Sequence, residues 1–214
     1  MAGPGKSLTD ASGAVRLAHS VLDQLVVRRG TLDHPARFLP GDNPWTDQLA
    51  RLFRDTLNDA LAEAPDPSVR HVVAANWRTV NLLAPGPADA ARAPLYDLAW
   101  RVYSEDCSQL LAQPLIAECA WRGGWAACAP ACDRLAQGAA GVRLLCVSGD
   151  PQSPVAEMTL AEACAFRIAA FAPKDETVLL AFYGGEDSWR ESAGFSLYTY
   201  QTGQSALTAL NPES

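Results

Sequence analysis

Asp97 and Glu118 are the two residues whose setting best suits chemistry. Asp97 sits in Pro94-Leu95-Tyr96-Asp97-Leu98-Ala99-Trp100-Arg101-Val102-Tyr103, and Glu118 in the apolar run from Leu110 to Trp121. Burying an unpaired charge is costly, so an acid inside a strand-length apolar run has a partner or a task. Two carboxylates held close together can share a divalent cation such as Mg²⁺. The ordinary alternatives are an edge-strand Asp97 facing solvent, and a Glu118 paired with Arg101 or Arg122 across a hairpin.

The elements that must position these acids follow from pattern. The polar break from Ser104 to Ser108 joins the two apolar runs and predicts a β-hairpin. Gly123 and Gly124 then open a helix over about Ala126 to Gln137, closed by Gly138 and Gly141. Val142 to Val147 reads as a strand buried on both faces, the signature of parallel pairing. Thr159 with Glu162 three residues on predicts a capping box and a helix through Phe171. Thr177–Tyr183 and Phe195–Gln201 read as strands.

Upstream of the hairpin, Val15, Ala18, Val21, Leu22, Leu25 and Val26 fall at helical spacing, with Ser12 as cap and Gly30 as stop. Asn43 and Pro44 open a second helix, striped by Trp45, Leu49, Leu52, Phe53 and Leu57, which ends before Pro65. Val69 to Leu83 fits a helix by spacing, with a strand as the alternative from Trp77 onward. The domain plan is a disordered N-terminus over 1–12, a single α/β domain over 13–201 and a loose tail over 202–214. Strand, strand, helix, strand, helix, strand, strand predicts a mixed central sheet with flanking helices, preceded by N-terminal helices.

This order, with Asp97 on one strand of the hairpin and Glu118 on the next, resembles the restriction-endonuclease-like PD-(D/E)XK superfamily over roughly residues 94 to 148. The resemblance implies a restriction-endonuclease-like core, with Asp97 and Glu118 as catalytic and Mg²⁺-binding acids. The third motif position, two residues after Glu118, is Ala120, which offers neither charge nor ligand. The following helix supplies only Arg134, and arginine stays protonated, so it is no general base. The expectation is a degenerate member that binds a protein partner, nucleic acid or other ligand, holds Mg²⁺ weakly and has little or no catalysis. The alternatives are a Mg²⁺-dependent nuclease acting through Asp97 and Glu118, and an acidic interaction or immunity-type protein using the second helix.

Composition bounds these readings. The 214-residue chain carries a formal charge of -7, and its only lysines are Lys6 and Lys174. Scattered bases on an acidic chain argue against non-specific nucleic-acid binding. No apolar run is long enough for a membrane helix, and residues 1–12 lack the apolar core of a signal peptide, so the expectation is a bacterial cytoplasmic protein. Six cysteines in that setting predict free thiols. Cys128 and Cys132 stand further apart than the usual zinc pair, with His19, His34 and His71 all far upstream. Trp121, Trp125 and Trp189 flank turns and read as core or stacking aromatics.

Overall fold

A computed structural model describes residues 8–27, 33–34, 37–38, 43–63, 65–75, 96–121, 124–148, 154–173, 176–184, 195–203 and 206–210. Their order is α1 (Ala11–Val27), α2 (Pro44–Glu63), β1 (Val69–Ala75), β2 (Leu98–Ser104), β3 (Leu110–Ala120), α3 (Gly124–Gln137), β4 (Val142–Ser148), α4 (Pro154–Ala169), β5 (Thr177–Tyr183), β6 (Phe195–Gln201) and β7 (Thr208–Leu210). The seven strands form one mixed sheet in the order β1-β2-β3-β4-β5-β6-β7, and the chain is α/β.

The central strands β3, β4 and β5 are parallel, and the outer pairings are antiparallel. Parallel neighbours need a crossover, which α3 and α4 supply. Two successive crossovers of one hand, advancing in one direction, place both helices on one face of the sheet. Cys128, Leu135, Cys164 and Ile168 accordingly share a core with Ile116, Leu145 and Leu180. α1 and α2 cover the opposite face, where Leu22, Leu25, Trp45 and Phe53 pack on Leu115, Trp100 and Leu144. Strands β4 and β5 are buried along their whole length, as a sheet covered on both sides requires.

α2 begins as its sequence indicates: the Asn43 side chain accepts the Trp45 amide at 3.1 Å, and the helix ends at Glu63. Several expectations change. The cap of α1 is Asp10, whose carboxylate accepts the Gly13 amide at 2.7 Å, so helical order begins inside the stretch expected to be disordered. Val69–Ala75 is strand rather than helix. Its Val pairs stack well on a pleated edge, and all seven residues pair with β2. The strand alternative from Trp77 lies outside the described residues. α4 starts at Pro154, five residues ahead of the expected cap; Thr159 is interior, and its hydroxyl donates to the Val155 carbonyl at 2.9 Å. A proline fits the first turn because its missing N–H has no helical partner there. Within the tail expected to be loose, Thr202 is buried and Thr208–Leu210 pairs with β6. Among the described residues, no helix is long and apolar enough to cross a membrane.

Candidate functional site

The β2–β3 register puts the two acids together. Leu98 pairs with Ala117, so Asp97, one residue before β2, stands opposite Glu118. The Cys119 amide donates to Asp97 Oδ2 at 2.8 Å, which ties the acid to β3. Alternation then sets the face. Leu115 and Ala117 point into the α1/α2 core, whereas Ile116 and Ala120 point toward α3 and α4. Glu118, between them, faces α3.

The partner of Glu118 is Arg134 of α3. Its Nε donates to Oε1 at 2.9 Å and its Nη2 to Oε2 at 2.6 Å, a two-pronged pair that engages both carboxylate oxygens. This corrects the expected hairpin partners: Arg101 donates instead to Gln113 at 3.2 Å, and Arg122 lies outside the described residues. Glu118 is only 1% exposed, while Arg134 is 48% exposed, so the pair has one dry side and one wet side. Burial pushes the Glu118 carboxyl up to about 7, against the pull of Arg134, and the nearby Asp97 charge adds to the rise. Arg134 is in turn held above its ordinary value, chiefly by its hydrogen bond to Glu118. The directions agree: burial outweighs the guanidinium at the dry end, and the guanidinium is locked in its charged form.

α3 is held in place by a second arginine, and this one is buried. Arg143 of β4 is fully buried, donates to the carbonyls of Leu135 and Ala140 at 2.9 and 3.3 Å, and also contacts Gly138 O and Glu176. These carbonyls close the C-terminal end of α3, where helix acceptors have no intrahelical donor. Tyr96 packs over Gly138, and burial, together with the Glu118 charge, raises its hydroxyl above the usual value. Gly138 is required there, because a Cβ would run into Tyr96 Oη and Ile116 Cδ1.

Ala120 shares the face of Glu118 and is buried, so the third motif position brings only a methyl group to the site. Arg134 was legible in the sequence as the lone base of its helix, but not as the partner. The available signal was its spacing, three residues after Ala131 and beside Leu135, both on the buried stripe of α3. Trp121 belongs to the opposite core: it is tilted against Trp45 and Tyr183 and donates to Thr46 at 2.8 Å. Trp125 is exposed under the Arg167 guanidinium, and Trp189 lies outside the described residues. His71 accepts a hydrogen bond from the Trp100 indole at 3.1 Å, a satisfied histidine.

Chemically, the cluster is a carboxylate pair with an internal cation. Glu118 can hold or release a proton near neutrality, Asp97 is fixed by a backbone donor, and Arg134 presents positive charge to solvent. Among the described residues, no group of three His, Cys, Asp or Glu side chains is placed to hold a metal ion. A scan against protein-family models finds no match for this chain, and a search of curated proteins finds no similar sequence.

Proposed function

We propose that the chain is a degenerate restriction-endonuclease-like domain whose acid pair has been turned from catalysis to binding. The observation that carries this reading is the two-pronged Arg134–Glu118 pair beside Asp97. A helix, three strands with Glu118 on the third and Asp97 opposite it just before the second, a helix and a parallel strand support the likeness. Ala120 and the absence of a lysine from the hairpin and α3 support the loss of activity. Mg²⁺ fits poorly here: it would have to displace Arg134 from both oxygens of Glu118, so the reading places its affinity in the millimolar range or weaker, about what two carboxylates alone provide. The partner is then an acid-bearing or polar ligand met by the solvent side of Arg134, on a protein or a nucleic acid.

A plasmid-nicking assay with Mg²⁺ or Mn²⁺ tests the reading. The wild type should leave the plasmid intact. Metal-dependent nicking that is lost in both Asp97→Ala and Glu118→Ala would overturn it in favour of a working nuclease.

A further inference from the structure

Behind the acid site, three of the six cysteines meet where α3 packs on α4. Cys128 and Cys132 stand one helical turn apart on α3, so they share a face, and Cys164 comes from α4. All three are fully buried in one core cluster. The register between the helices is fixed from outside by Arg167, which donates to Asp133 at 2.6 and 2.7 Å and lies over the ring of Trp125 at 5.5 Å. Arg167 thus spans α3 from Trp125 to Asp133, and Cys164, one turn before it, falls between Cys128 and Cys132. Cys164 shares one buried core with both of them.

Cys128 and Cys164 are not equivalent. The neighbouring Cys164 holds the Cys128 thiol below its ordinary value, and Cys164 is itself pushed up by Cys128 and Cys132. A thiol held below its ordinary value is the better nucleophile. Cys128 also lies in the weakest part of α3. Pro130 has no N–H, so the Ala126 carbonyl loses its helical donor, and Gly124 precedes it with a φ of 72°. Local opening of a segment with a missing hydrogen bond is the ordinary route by which small reagents reach a buried group. The other adjacent pair, Cys119 and Cys146, differs. It sits in register on two parallel strands, where side chains stand side by side instead of facing, and burial pushes the Cys119 thiol well up.

We infer that Cys128 and Cys164 form a redox modification site, in which a peroxide oxidises them to a disulfide that staples α3 to α4. The Cys128 thiolate attacks one peroxide oxygen, giving a sulfenic acid and releasing hydroxide. The Cys164 thiol then attacks the sulfenic sulfur, forming the S–S bond and releasing water. Two thiols lose two electrons in all, and one hydrogen peroxide is reduced to two waters. Cys132 is left as a thiol beside the new bond, placed to attack it and return the site toward the reduced form when a second thiol is supplied.

The test uses the full chain. It is treated with hydrogen peroxide, alkylated under denaturing conditions, digested without reductant and mapped by mass. The expected result is a Cys128 peptide linked to a Cys164 peptide, with four of the six cysteines alkylated. The oxidised chain should melt about 8 °C higher, because the new link closes a loop of about 35 residues, and dithiothreitol should remove the rise. Cys164→Ser should abolish both effects, and Cys107→Ser, at the hairpin tip, should keep them. Should Cys164→Ser fail to fold, the wild-type peptide map decides alone. Six alkylated cysteines after peroxide, or a link between any other pair, would overturn the inference.

Discussion

Replacing Arg134 with alanine tests the electrostatics of the site through its dependence on pH. Glu118 titrates at about 7 in the folded chain, against an ordinary value of 4.5. Between these values the folded chain binds the proton and the unfolded chain has lost it. Stability from this group is therefore fully present below pH 4.5 and falls as pH rises toward 7. At about 1.4 kcal/mol per pH unit, the whole gap amounts to about 3 kcal/mol. Arg134 is what stops the loss at about 7, because its hydrogen bond and its charge both pull Glu118 down. In Arg134→Ala the folded value moves higher, and the loss runs on above neutrality. By about pH 8.5 the variant should be about 2 kcal/mol less stable than the wild type. Near pH 5.5 Glu118 is protonated in both proteins. The difference then shrinks to lost hydrogen bonds and packing, about 1 kcal/mol or less, since half of Arg134 is in water. Urea unfolding followed by tryptophan fluorescence at three pH values measures this. In a Glu118→Gln background the pH dependence of the Arg134 effect should disappear. A cost of Arg134→Ala that is equal at all pH values, or larger in acid, would refute the reasoning.

Three further outcomes follow from the same structure. His71 is held below its ordinary 6.5, mainly by burial, and its Nδ1 accepts the Trp100 indole N–H. The unfolded chain therefore takes the proton first, so stability present above pH 6.5 is lost as pH falls below it; His71→Asn should flatten that limb in a urea titration. Gly138→Ala should cost about 1–3 kcal/mol by driving a methyl into Tyr96 and Ile116, read as a lowered urea midpoint; an unchanged midpoint would show that Tyr96 yields freely. Mg²⁺ at about 10 mM should raise the wild-type melting midpoint by only about 1 °C, and more in Arg134→Ala, with no rise in Glu118→Gln; a large wild-type rise would mean that the guanidinium does not compete for the acid.

The sequence made some elements legible and hid others for physical reasons. α2 announced itself because the Asn43 cap, Pro44 and a single apolar stripe all point to one helix. The hairpin, β4, β5 and β6 were readable because burial on one or both faces leaves an unbroken or alternating apolar pattern. β1 was misread because Val69, Val72 and Val73 satisfy helical spacing as well as strand propensity, and only pairing with β2 decides between them. The start of α4 was misread because Thr159 and Glu162 mimic a cap, whereas Pro154 suits a first turn and the Tyr198 hydroxyl donates to Glu157 in that turn at 2.6 Å. At the site, Asp97 and Glu118 could be paired from the hairpin alone. Arg134 could not, since its contact with Glu118 depends on how α3 lies across β3, a long-range matter that no local pattern encodes.

The identity of sheet order and chain order bears on how this protein is made. Each strand hydrogen-bonds to the one synthesised just before it, so no segment has to be inserted between two strands already joined. During translation, the growing sheet offers a single advancing rim, and β4 and β5 each reach it after one helical crossover. The helices that cover one face, α1 and α2, precede β1 in the chain, so a greasy surface is waiting when β1 appears. Ribosome-stalled chains ending after β3, β4 and β5 should therefore gain protease resistance step by step, whereas a sheet requiring a late central strand would stay open until that strand emerged.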